Sequence, residues 1–157
     1  MPVFDLTTPE QLLDKLKSEQ RRLLTQPYDS CTGFNAAVTA YHLAEWVWNQ
    51  RQPRDYPNLD RFKEMVQREC PSGWIVRDIA NSAKHFTLRD APPNSSRGQG
   101  GGFSNAFSSG FEINHLVIDT SEGPIRFNQV LGDVVAFWDE FLCEHPSQGP
   151  MTATESP

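Results

Sequence analysis

Leucines recur early in the chain at Leu12, Leu13, Leu16, Leu23 and Leu24, the three-to-four-residue spacing that makes one side of an α-helix apolar. Thr8, Pro9 and Gln11 stand where a helix start needs them: a hydroxyl cap, a proline at the first helical position and a capping-box glutamine two residues later. Pro27 stops this helix. A second, aromatic-rich helix is predicted over Gly33 to Gln50, with Pro53 beyond it. Asn58 can cap a third, LDRFKEMVQREC, ended by Pro71, and Ser72 a fourth, GWIVRDIANSAKHFTL, ending near Arg89. Past residue 110 the period shortens: FEINHLVID reads as a strand, SEGP as a turn and IRF as the returning strand. Asn128 can cap a last helix, QVLGDVVAFWDEFLCEH. There Leu131, Val134, Val135, Trp138, Phe141 and Leu142 share a side, with Asp133, Asp139 and Glu140 opposite. The expected fold is mainly α, a bundle of about five helices with one β-hairpin inserted between the fourth and fifth.

The 157 residues suit one helical domain over 1–145, in which 91–110 is a flexible Gly/Ser-rich loop and 111–127 the hairpin; 146–157 reads as a disordered tail. Hydrophobic residues make up 38%, enough for a modest core and too many for a wholly disordered chain. No apolar run approaches the roughly 18 residues of a membrane span, and MPVFDLTTPEQ has neither the basic nor the apolar region of a secretory signal. A cytoplasmic protein without membrane contact is therefore expected. GQGGG lacks the GK[ST] ending of a phosphate loop and opens no helix.

The net charge is −6, and residues 111–145 carry all of that excess: seven acidic groups against Arg126 alone. Such a balance disfavours bulk nucleic-acid binding through counterion release, while leaving room for a local site in the near-neutral remainder. Cys31, Cys70 and Cys143 are odd in number, widely spaced and without a CxxC pair. Free thiols, each a small packed residue, are expected, and no metal or cofactor is assigned.

Candidate chemistry sits on two helices that are otherwise apolar enough to be buried. At about 100° per residue, Asp78, Ser82 and His85 of the fourth helix fall within about 60°, with Asn81 beside them. Asn81 and His85 are four apart and can touch; Asp78 is about 10 Å along the axis from His85. On the second helix Asn35, Thr39, His42, Trp46 and Asn49 share a strip with Glu45 at its edge. Buried polar groups need partners, so two such strips would meet each other or a ligand, enclosing a His42/His85 pocket. The structural alternative is that these histidines and asparagines tie helices together. Tyr41, Trp46, Trp48, Trp74, Phe86 and Trp138 are expected in the core, and His115 and His145 on the surface.

The runs NAAVTAYHLAEWVW and RDIANSAKHF resemble bacterial proteins built as small helical bundles, and are similar to HEPN domains, over about 55 residues from Asn35 to Arg89. That resemblance implies a helical, dimeric, metal-independent endoribonuclease cleaving RNA by attack of a 2′-hydroxyl on the adjacent phosphate. Arg77, the polar Asp78 and His85 match the family signature in type, although seven residues separate Arg77 from His85 where the family has four to six. The resemblance makes His85 the general acid or base and Arg77 the stabiliser of phosphate charge. Asn81 or Asp78 would orient the imidazole, and His42 would be a second proton-transfer group. Asn35, Thr39, Glu45 and Trp46 would line the ligand site. Two other readings stand beside it. One is a bundle binding metal through His42, Glu45, Asp78 and His85. The other is a non-catalytic module that contacts a protein partner through 91–140.

Overall fold

The first helix, α1 (Pro9–Thr25), begins as its sequence dictates: the Thr8 hydroxyl accepts from the Gln11 N–H, and the Gln11 side chain accepts from the Thr8 N–H at 3.1 Å. The structure is a computed structural model and describes residues 5–27, 29–85, 116–120 and 122–146, the side chains of 83–85 and 119 excepted. Its further elements are α2 (Ser30–Arg51), α3 (Leu59–Glu69), α4 (Ser72–His85), β1 (Val117–Thr120), β2 (Gly123–Arg126) and α5 (Phe127–Glu144). Five helices with one antiparallel hairpin ahead of the last thus form the described fold. The expected loop over 91–110, the first strand residues 111–115, the end of the fourth helix with Phe86, and the tail from 147 lie outside the described residues.

The helix α2 is the centre on which α1, α3, α4 and α5 all pack. Gly33, Ala36, Ala37, Ala40 and Ala44 fill much of its buried arc, together with Leu43 and Val47. Side chains this small let neighbouring backbones come close. The helix begins three residues earlier than the sequence suggested, because Asp29 caps it: its carboxylate accepts from the N–H groups of Cys31 and Thr32 and from the Thr32 hydroxyl at 2.6 Å. These bonds hold the Asp29 carboxyl below the usual carboxylate range. At the other end Gln52 takes a left-handed conformation, φ 42°, and ends the helix.

Three expectations about helix faces and starts are corrected. Leu24 is 66% exposed rather than buried, because it lies in the last turn of α1, past the edge of the arc set by Leu12, Leu16 and Leu23. Asn128 does not cap α5; the helix starts at Phe127, and the Asn128 amide instead donates to the Leu23 carbonyl of α1. Ser72 is the first residue of α4, and its hydroxyl donates to Asp133 of α5 at 2.6 Å. The hairpin turn is also tighter than expected. Thr120 pairs with Gly123, so Gly123 and Pro124 already belong to β2, and Gly123 has φ 115°, a conformation that favours glycine.

At the bottom of the core Phe62 of α3 is fully buried among rings: Tyr56 at 5.5 Å, Phe141 at 5.7 Å, Trp48 at 5.9 Å and Trp138 at 6.5 Å between centroids. Of the aromatics assigned to the core, Trp138 is buried, whereas Tyr41, Trp46, Trp48 and Trp74 are half-buried at its margin. The three cysteines are free. Only Cys70 is packed, and burial pushes its thiol up; Cys31 and Cys143 are exposed on the outward sides of α2 and α5.

A polar latch joins the helix ends. Arg51, the last residue of α2, donates to the Glu10 carboxylate in the first turn of α1 and, at 3.3 Å, to the Leu142 carbonyl in the last turn of α5. Carboxylate at a helix start and guanidinium at two helix ends both match the helix dipoles.

Two outcomes follow for stability. Gly132 lies inside α5, and a Cβ there would meet only the Gln20 amide, at 3.7 Å. Gly132→Ala is therefore expected to raise unfolding free energy by about 0.5–1 kcal/mol in urea titrations. Asp29→Ala should cost about 1 kcal/mol at neutral pH. Because the folded pKa of Asp29 lies below its unfolded value, its contribution is present above about pH 4 and lost as pH falls through the folded pKa. Urea midpoints of wild type and Asp29→Ala should converge across that range.

Candidate functional site

The side that each polar strip faces is fixed by which residues of its helix are used for packing. Ala40 and Ala44 of α2 and Gly73 and Val76 of α4 line one small cavity of about 30 Å³, so α4 lies on the Ala40/Ala44 side of α2. His42 is two residues from each alanine, about 200° around the helix. Its ring leaves α2 on the side away from α4, and Asn35, His42 and Asn49, spaced by seven, form an exposed line. The His42 line therefore does not face α4. On α4 itself Asp78 is buried and Asn81 and Ser82 are half-buried, while the side chain of residue 85 lies outside the described residues.

Within the α2 strip the members have separate tasks. Thr39 is buried; its hydroxyl donates to the Asn35 carbonyl at 2.8 Å and accepts from the Lys15 ammonium at 2.6 Å. Lys15 also holds Glu19 at 2.5 Å, so Thr39 belongs to a clasp between α1 and α2. His42 Nδ1 is 3.5 Å from Glu45, both side chains being nearly half exposed, and the His42 ring lies 5.4 Å from that of Tyr41. An exposed pair of this kind is worth little to stability. Trp46 is half-buried against the core.

The α4 strip is the more constrained. Arg77 donates from Nε and Nη2 to the same oxygen of Asp78, at 3.2 and 2.9 Å, and its guanidinium lies over Trp74, 4.2 Å from the ring centroid. Asp78 is 4% exposed, and among the described residues its other oxygen is buried without a hydrogen-bond partner. The Ser82 hydroxyl donates back to the Ile79 carbonyl, and Asn81 is half-buried. His85 is in helical backbone, and its side chain lies outside the described residues. Among the described residues, no three His, Cys, Asp or Glu side chains come together in a way that could hold a metal ion.

The periodicity reading missed the Arg77–Trp74 stack. Its signal was present as an aromatic three residues before an arginine on one helix, the i,i+3 spacing that brings side chains together. The acidic excess of the C-terminal third is partly engaged within the fold: Asp133 accepts from Ser72 and Asp139 from Lys17, the latter at 2.6 Å. Among the described residues no helix is long and apolar enough to cross a membrane. Compared with protein-family models, with curated proteins and with solved structures, the chain has no significant match in any of the three.

The assignment of Thr39 to a clasp and His42 to a free surface separates their substitutions. Thr39→Val should cost about 0.5–1.5 kcal/mol through the two lost hydrogen bonds. His42→Ala and Asn49→Ala should each stay within about 0.5 kcal/mol of wild type, as surface changes do. Urea unfolding with unchanged helical circular dichroism at zero denaturant checks both.

Proposed function

We propose that the chain is a non-catalytic interaction module whose contact surface is the ridge of α2 through Asn35, His42 and Asn49. The observation that carries this reading is the ridge itself. Three exposed polar positions run along one line of a 22-residue helix. Tyr41 and Trp46 flank them, both half-buried, and the His42–Glu45 pair stands at the middle. A polar line beside seated aromatics is the composition that protein interfaces favour, since Tyr and Trp bring contact area at small entropic cost. The partner's class is a protein offering hydrogen-bond acceptors to His42 and an apolar edge to Trp46.

A second reading, the metal-independent endoribonuclease of the HEPN kind, is favoured by one observation. Arg77 lies over Trp74 and is anchored by Asp78, which leaves Nη1 of a positioned guanidinium to meet a phosphate. In this reading His85, eight positions along the same helix, exchanges the proton of the attacking 2′-hydroxyl. The helix of a second copy would complete the site.

One pair of experiments decides between them. A photo-crosslinking residue at position 38, one turn from His42, should capture one discrete protein from host lysate, competed by unlabelled wild type and reduced about tenfold by Trp46→Ala. His85→Ala should leave that capture unchanged. RNA cleavage in EDTA that is lost in both His85→Ala and Arg77→Ala, with the helical signal retained, would reject the module and establish the nuclease.

A further inference from the structure

We propose that the cleft where α2 and α5 end is a binding site for a small carboxylate ligand with a flat apolar body. The cleft is open to solvent, spans about 790 Å³, within the range of small-molecule sites, and is distinct from the α2 ridge. Arg51 lines it with a side chain only 7% exposed. A guanidinium carries five N–H donors. Among the described residues Nη2 meets Glu10 and Nη1 the Leu142 carbonyl, while Nε is buried with no hydrogen-bond partner. Burial works against the charged form of this arginine. Nε has no contact with solvent, so a ligand carboxylate would meet the guanidinium by taking the place of Glu10, with charge-assisted hydrogen bonds to Nη2 and Nε.

The cleft also supplies a flat wall. The His145 ring stacks on Phe141 at 4.2 Å and 16°, and its Nδ1 donates to the Phe141 carbonyl at 3.0 Å, which fixes the ring plane. His145 is exposed, so its outer face is open to a planar group. Arg54, Asp55 and Glu144 stand exposed at the rim, where water screens them, and the guanidinium is the desolvated charge. Glu10 is the natural competitor. Its side chain is 46% exposed and can return to water when a ligand carboxylate takes its place on Arg51.

Benzoate and its neutral counterpart benzamide are the probes, titrated into the full chain with the Arg51 Nε–H and His145 ring resonances followed by NMR. Benzoate should shift both saturably in the millimolar range and benzamide neither. Glu10→Gln should tighten benzoate on the order of threefold or more, since the competing carboxylate is gone. Arg51→Met should abolish binding, and the Glu10→Gln comparison decides the matter if that variant does not fold. Equal shifts with benzamide, no shift with benzoate, or an unchanged midpoint in Glu10→Gln each overturn the proposal.

Discussion

The closeness with which other helices approach α2 governs the rest of the molecule. Its buried arc is built largely from Gly33, Ala36, Ala37, Ala40 and Ala44, whose side chains stand back so that α1 and α4 can lie against the backbone on either flank. Larger residues at these positions would hold the neighbours apart and open voids that the surrounding leucines and valines could not collapse to fill. The same arc decides the chemistry available elsewhere. With one side of α2 given to small residues, its hydrogen-bonding line at Asn35, His42 and Asn49 has only the solvent side left.

Much of the fold was legible because its signals are local. Thr8 with Gln11, and Asn58 ahead of α3, act through bonds spanning three or four residues, and they form as read. The apolar spacing of α5 likewise placed Leu131, Val134, Trp138 and Leu142 inside. What failed depended on partners remote in sequence. Asn128 has a side chain suited to a cap, yet it is drawn to the Leu23 carbonyl of α1, more than a hundred residues earlier. Leu24 follows an apolar pattern, but among the described residues no neighbouring element covers the last turn of α1 on that side. Phe62 gave no hint of its place among four rings, because those rings come from α2, the segment after it, and α5.

For the candidate residues the sequence shows which positions share a side of a helix, not what that side faces. A helical wheel groups Asp78, Asn81 and Ser82 along one strip, and likewise Asn35, His42 and Asn49. It carries no information on which flank a neighbouring helix will occupy. On α2 that choice is made by Ala40 and Ala44, and it leaves Asn35, His42 and Asn49 exposed. Arg77 and Asp78 show a related limit. Adjacent residues on a helix ordinarily diverge, but here the long arginine side chain folds back over Trp74 and reaches its neighbour's carboxylate.

The pairing of the first helix with the last has a temporal meaning. Lys17 reaches Asp139, Asn128 reaches Leu23, and Gly132 lies beside Gln20, so α1 is roofed by an element near the opposite end of the chain. During synthesis α1 and α2 can associate as soon as both have left the ribosome, but the α5 side of α1 must wait for the final helix to emerge. Until then its leucines stay accessible to water and to whatever holds nascent chains. Closure of that last contact, rather than formation of the early hairpin of helices, would mark the moment the molecule becomes committed to its native state.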